Sequence, residues 1–351
     1  MPRSIALMST CVMAAGCAAL GLTAAARAAD QVPDPATNKT EKNWTASVLE
    51  EDDYWAPDNR DRHYTHGVEF LGTSGEITDP DWQGPFRWMK LFPEGANVSR
   101  RYELLGGQTM YTPENTATSV PDPRDRPYAG WLYGGAAMMQ DTDARQFDRF
   151  AVRLGTIGPS SGAGQLQTKW HLLIDVAQPN GWHAQLHDEP TLDLFRERKW
   201  RFYAATGGGL GFDAIPQVSL RVGNVYDYVA AGGMLRFGRN LRVDYGPPRI
   251  DENLGAPYEN LANAEGEWTW YGFVGTEGRL VAHNIFLDGN SFQRSASVDK
   301  EPAVGDGEIG FAVAYEHFRL AYTYVYRSVE YRTQDHPDHY GAIDATFRLP
   351  F

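Results

Sequence analysis

The sequence predicts an all-β protein, a closed antiparallel transmembrane β-barrel of about 12 strands with a short helix in an external loop. Three observations predict it. Segments of about ten residues alternate apolar and polar side chains with period two, aromatics gather at the segment ends, and the chain opens on an export-type leader. The composition agrees, since a mean hydropathy of −0.46 and the absence of an apolar run of about 18 residues after the leader disfavour a bundle of membrane helices. A net charge of −13, with Lys and Arg scattered among the acids, predicts no nucleic-acid partner.

The leader is read over residues 1–28: Arg3, an apolar stretch from Ile5 to about Ala26, then the small-residue pattern Ala26-Arg27-Ala28. An uncleaved anchor is the alternative, and a lipoprotein signal at Cys17 fits less well because Ala14 stands where Leu is expected. Cleavage would remove both cysteines, Cys11 and Cys17, so residues 29–351 carry no disulfide, thiol nucleophile or thiolate metal site.

The alternation is clearest late in the chain. Phe318, Leu320, Tyr322, Tyr324 and Tyr326 share one parity, and Arg319, Ala321, Thr323, Val325 and Arg327 share the other. Ile343, Ala345 and Phe347 against Asp344 and Thr346 repeat the pattern, as do Phe150, Val152 and Leu154 against Arg149, Ala151 and Arg153. A soluble sandwich also alternates; segments of about ten residues with aromatics at their ends, in an exported chain that ends on a strand with a terminal Phe, favour the membrane barrel. Strand starts fall near Trp44, Tyr64, Arg101, Tyr128, Phe147, Lys199, Gln217, Tyr228, Trp268, Gly307, Phe318 and Tyr340. An even count suits closure, which leaves no unpaired backbone in lipid. Four connections are long. Pro80 to Asn97 reads as a short helix or an apolar plug, Tyr111 to Pro127 as a polar loop, Gly158 to about Arg198 as the longest connection with a helical centre, and Gly238 to Gly266 as an irregular loop.

Candidate chemistry lies at two places. In the first strand Trp44, Ala46 and Val48 form the apolar face, which turns Glu51 and Asp53 inward; in the second, Val68 and Phe70 turn Thr65, Gly67 and Glu69 inward, provided no bulge intervenes. The run Glu50-Glu51-Asp52-Asp53 offers clustered oxygen ligands that suit Ca²⁺, or is a solvated strand end. Within the long connection Leu166, Trp170, Leu173 and Ala177 recur at helical spacing, while Gln167, His171 and Asp175 stack one turn above the next. His171 can serve as a general base, a carboxylate one turn away can orient it, and Gln167 can hold a substrate or water. No Gly-x-Ser-x-Gly elbow or His-Glu-x-x-His pair is present, so water is favoured over Ser as the nucleophile.

Several of these stretches, in order, resemble one family. Glu51-Asp52-Asp53-Tyr54-Trp55, Asp61-Arg62-His63-Tyr64-Thr65-His66-Gly67, Gly107 to Pro113 and Asp125-Arg126-Pro127-Tyr128-Ala129-Gly130-Trp131 are similar to the LpxR family of outer-membrane lipid A 3′-O-deacylases. The likeness runs on through Gly158-Pro159, Gln167 to His171, Pro179-Asn180-Gly181-Trp182 and Val329-Glu330-Tyr331-Arg332. The resemblance implies a monomeric outer-membrane barrel whose site lies between the wall and a loop helix, acting on lipid A, the membrane anchor of lipopolysaccharide. It implies Ca²⁺ as cofactor, His171 as base, Gln167 and Thr65 lining the site, and Asp52 and Asp53 as metal ligands. Lys169, Arg124 and Arg126 are candidate phosphate contacts of the substrate, with a structural or solvated role as the alternative at each position. Two departures accompany it: Asp52 stands where the family has Asn, and Thr116, Ala117 and Thr118 stand in the loop where the family has a Lys. A non-catalytic porin-like barrel and a periplasmic β-sandwich that binds a ligand are the competing readings.

Overall fold

The structure, a computed structural model, describes residues 41–56, 62–95, 97–250, 254–261 and 266–349. The leader over residues 1–28 and the terminal Phe351 lie outside the described residues.

Thirteen strands follow one another: β1 (Thr45–Asp52), β2 (His63–Thr73), β3 (Val98–Thr112), β4 (Ala129–Thr142), β5 (Gln146–Ile157), β6 (Glu189–Trp200), β7 (Phe202–Gly207), β8 (Leu210–Gly223), β9 (Tyr226–Arg239), β10 (Trp268–Asn284), β11 (Ala303–Tyr315), β12 (Phe318–Arg327) and β13 (Asp338–Arg348). All pairings are antiparallel, β1 pairs with β13, and β6 pairs with β8 to close the wall. The extra strand is β7. Lys199 opposes Gln217 and Phe202 opposes Ala214, so β7 continues the ladder of β6 along β8 after a break at Arg201. The result is a closed barrel of twelve staves, which excludes the β-sandwich reading because the sheet meets itself.

Alternation sorts the side chains as expected. Arg149, Arg153, Arg319, Arg327, Asp344 and Thr346 are buried inside, whereas Leu154, Leu280 and Phe311 are exposed on the outer surface. At the end holding the first and last described residues, the rings of Trp268 and Tyr315 stack 4.8 Å apart and those of Phe318 and Phe347 lie 5.0 Å apart. They form part of an aromatic girdle. Two strand starts differ from expectation. The sixth strand begins at Glu189, well before Lys199, and the eighth at Leu210, before Gln217. The inward residues of β6 are charged, so its alternation resembles a polar loop until the partners are seen: Asp193 pairs with Arg221 at 2.8 Å, and Lys199 with Glu197 at 2.8 Å.

Two long connections adopt roles that local pattern does not specify. The segment after β9, expected as an irregular loop, folds into the lumen, where Leu241, Val243, Tyr245, Leu254 and Tyr258 are buried. Its Arg249 donates to Glu51 of β1 at 2.5 Å, to Glu308 of β11 at 2.7 Å and to the Tyr340 hydroxyl of β13 at 2.9 Å. The barrel is thereby filled by its own chain. The segment between β2 and β3 instead lies on the outside. A 3₁₀ turn over Gly84–Met89 leads from Trp82 to Phe92, and both rings are buried against Met138 and Phe150 on the outer face of β4 and β5. It covers the wall and does not plug the lumen.

Arg249→Ala is expected to destabilise the barrel by about 3–5 kcal/mol, because it strands two buried carboxylates without their cation. The temperature at which the folded form converts to the slower-migrating unfolded form on a gel should fall, and the added changes Glu51→Gln and Glu308→Gln should recover most of the loss. An unchanged conversion temperature for Arg249→Ala would show that the plug does not brace the wall.

Candidate functional site

The helix expected in the fifth connection is α1 (Ala163–Leu173), at the barrel end opposite the first and last described residues. Gly162, at φ 73°, precedes it in a left-handed conformation that favours glycine. Its polarity is inverted relative to a helix on a water-soluble protein. Gln167 and His171 face the protein and are buried, while Leu166 is 44% exposed, Trp170 55% and Leu173 76%. An apolar face turned outward beside an apolar wall suits lipid as the surrounding medium.

The helix is seated on the outer surface of β3 and β4. Ala163 packs with Met110, Tyr128 and Trp182, and Gln108 Nε2 donates to the Ser161 carbonyl at 2.6 Å. Close approach depends on Gly164, where a Cβ would lie 2.9 Å from the Trp182 ring. Trp182 then fixes Gln167, its Nε1 donating to Gln167 Oε1 at 2.6 Å. With its carbonyl accepting from the indole, the carboxamide presents its NH₂ as the donor end. The His171 ring is fixed from the other side. Nδ1 lies 2.6 Å from the Ala177 carbonyl, which can only accept, so Nδ1 donates, and in the neutral ring the lone pair falls on Nε2. Asp175 was the residue expected to orient this ring. It lies beyond the end of the helix, exposed and at φ 57°, and the backbone carbonyl takes its place.

On the wall, β1 ends at Asp52 and turns. Asp52 Oδ1 accepts from Tyr54 N at 2.7 Å, and Asp53, buried in the 3₁₀ turn Asp53–Trp55, accepts from Arg62 N through Oδ2 at 2.9 Å. Glu51 points inward to Arg249 as expected. Gly67 and Glu69 also follow the inward parity, Glu69 accepting from the Tyr133 hydroxyl at 2.7 Å. Thr65 departs from that parity. The register shifts between Tyr64 and His66, and Thr65 sits at the resulting bulge with its hydroxyl 2.7 Å from that of Thr112. A bulge re-aims one side chain without disturbing the register beyond it. Asp52, opposite His66 across the two strands, therefore stands on the outer parity with Glu50, and ligand atoms of Glu50, Asp52 and His66 lie within 4.8 Å of one another.

The three cations differ sharply. Lys169 is exposed on α1, and Arg124 is exposed and pairs with Asp122 at 2.7 Å. Arg126 is enclosed, paired with Glu330 at 3.1 Å and held 4.7 Å above the Tyr111 ring. It braces a loop and offers no exposed guanidinium in this state.

A set of residues to which sequence reasoning gave no role holds these loops together. His63, at φ 60°, places Nδ1 2.7 Å from Asp338 and Nε2 2.9 Å from the Tyr331 hydroxyl, which donates to Asp125 at 2.5 Å. Burial, and then the Asp125 carboxylate, pushes the Tyr331 hydroxyl well above its ordinary value, so it remains a donor. Asn180 ties the helix connection to the third loop by donating from its amide to Ala117 O at 2.9 Å. Their signal was present, since His63, Asp125, Asn180, Trp182 and Tyr331 all lie inside the motif stretches. Motif membership alone does not separate a brace from a reactive group.

Comparison with known proteins yields a family and similar solved folds. A family model described as "Outer membrane protein LpxR" matches residues 10–349. The chain is similar to the solved structure of LpxR from Salmonella typhimurium, with 17% identity and a TM-score of 0.72, over 87% of this chain and 100% of that one. The β-domain of the Bordetella autotransporter BrkA matches at 12% identity and a TM-score of 0.44, over 89% of this chain and 100% of that one. No curated protein sequence matches.

Proposed function

Because the chain belongs to the LpxR family of outer membrane proteins, we propose that it removes the 3′-linked acyl chain from lipid A by hydrolysing the ester. The observation that carries this reading is the seat of α1: a buried imidazole and carboxamide face the barrel wall while Leu166, Trp170 and Leu173 are exposed on the outer side. A substrate held in a membrane leaflet by its acyl chains meets such a site laterally, without leaving the lipid. The end bearing α1 then faces outward from the cell, the leader over residues 1–28 exports the chain, and the protein acts as a monomer.

The residues take roles that follow from their partners. His171, with Nδ1 committed to the Ala177 carbonyl, takes the proton of water at Nε2, so that the water attacks the ester carbonyl carbon. The tetrahedral species collapses with loss of the sugar oxygen, which takes the proton back from His171 Nε2 as the fatty acid leaves. Gln167, steadied by Trp182, and Thr65 at the β2 bulge line the reacting group, and the exposed cations Lys169 and Arg124 stand for the substrate phosphates. Arg126 acts behind them by bracing the loop that carries Arg124. The end of β1 suits a hard divalent cation, since the Asp52 and Asp53 carboxylates are each anchored by a backbone N–H. Asp52 and Asp53 would hold Ca²⁺, which when bound supplies polarisation of the ester carbonyl and stabilisation of negative charge.

Mass spectrometry of lipid A from cells with and without the protein tests the proposal. The expected change is the loss of the ester-linked 3′ acyl mass alone. Loss of a phosphate, or of an amide-linked chain, would refute the regiochemistry. A porin function predicts solute flux through reconstituted vesicles, whereas the filled lumen predicts none.

A further inference from the structure

We infer that Glu50, Asp52 and His66 form a second cation site on the outer wall, selective for a borderline transition-metal ion of the Zn²⁺ class over Ca²⁺. Leu49 and Glu51 point inward, so Glu50 and Asp52 occupy the outward parity of β1, and the β1–β2 register sets His66 directly opposite Asp52. One ligand atom from each residue falls inside a 4.8 Å cluster. A small closing of the two acidic side chains brings them within the reach of one ion, about 2.0–2.2 Å from each ligand.

Three observations distinguish this cluster from an incidental group of acids. Both carboxylates are already oriented from behind: Trp55 Nε1 donates to Glu50 Oε2 at 2.9 Å and Tyr54 N to Asp52 Oδ1 at 2.7 Å, the kind of support that metal-binding carboxylates receive. Among the described residues Glu50 pairs with no Lys or Arg, although it stands beside a second carboxylate. The His66 ring, partly sheltered by the wall, has an enclosed Nδ1 that makes no hydrogen bond, a deficit that coordination of an ion through that nitrogen would remove.

The donor set decides the metal class. Calcium takes oxygen ligands throughout, whereas one imidazole with two carboxylates suits zinc and its first-row neighbours. Only the relation to calcium rests on the proposed function. Asp52 belongs to both sets, so occupation of the outer site withdraws it from Asp53 and weakens calcium binding.

The test uses the full chain, stripped of metal in detergent and titrated separately with Zn²⁺ and Ca²⁺ by calorimetry. The parent should bind one Zn²⁺. His66→Gln and Asp52→Asn should each weaken Zn²⁺ by at least about ten-fold, since even groups that merely orient metal ligands are worth that much. His66→Gln should leave Ca²⁺ affinity unchanged, and Asp53→Asn should leave Zn²⁺ affinity unchanged. X-ray absorption of the zinc form should show one imidazole ligand. Heat-shifted gel migration verifies that each variant is folded. Absence of Zn²⁺ binding by the parent, or parental Zn²⁺ affinity in folded His66→Gln, overturns the inference whatever the ester assay shows. An inactive protein that binds zinc through His66 would instead refute the proposed hydrolysis alone.

Discussion

His171→Ala is expected to lower the rate of ester hydrolysis by roughly 10² to 10⁴, the usual contribution of a positioned acid or base. The loss should fall on turnover with little change in stability. His171 sits on α1, outside the closed wall, and its one hydrogen bond named above goes to a carbonyl in the same connection. The variant should therefore still shift its gel migration on heating and still bind Ca²⁺. His171→Gln, which keeps a donor near the Ala177 carbonyl but cannot take up a proton at neutral pH, should be as slow as the Ala variant. Near-normal turnover by either folded protein would remove the base from the mechanism.

Asp53→Ala should fail differently. If this carboxylate holds Ca²⁺, its removal should weaken calcium binding and lower the rate by about 10² to 10³, the scale of losing one group that stabilises an oxyanion. Excess calcium should restore part of that rate, but none of the rate lost in His171→Ala. Chelation should silence the parent without unfolding it, because the ladder from β1 to β13 satisfies the backbone with no metal involved. A chelator-resistant rate would remove calcium from the reaction and leave Asp53 with its observed task, holding the Arg62 backbone across the first loop.

Much of the barrel was legible because a membrane wall imposes one rule on every strand, with apolar side chains toward lipid and polar ones toward the lumen. Phe318 to Arg327 keeps the alternation throughout, and the structure buries Arg319, Ala321, Thr323, Val325 and Arg327 on one parity, small or β-branched apolar residues among the polar ones. The rule was hardest to read in β6, where Asp193 finds its counter-charge on the neighbouring β8 and Glu197 and Lys199 pair with each other in the lumen. The helix in the fifth connection was legible for the same reason of period, with Gln167 and His171 one turn apart.

What the sequence by itself determined, then, was the alternation that makes a barrel, the two faces of α1, and the residue types at the end of β1. Tertiary structure decided which of those faces points where. The polar face of α1 turns to the wall because Gly164 lets Trp182 approach and take the Gln167 carbonyl, a contact between residues well separated along the chain. Thr65 leaves the lumenal parity because β2 carries one residue more than β3 at that point, which only pairing reveals. The segment after β9 becomes a plug because Arg249 finds Glu51, Glu308 and Tyr340 on three different strands. Periodicity is a local property and can be read from neighbours in sequence. Burial of a charge depends on partners brought together by closure, and no stretch of chain carries that information alone.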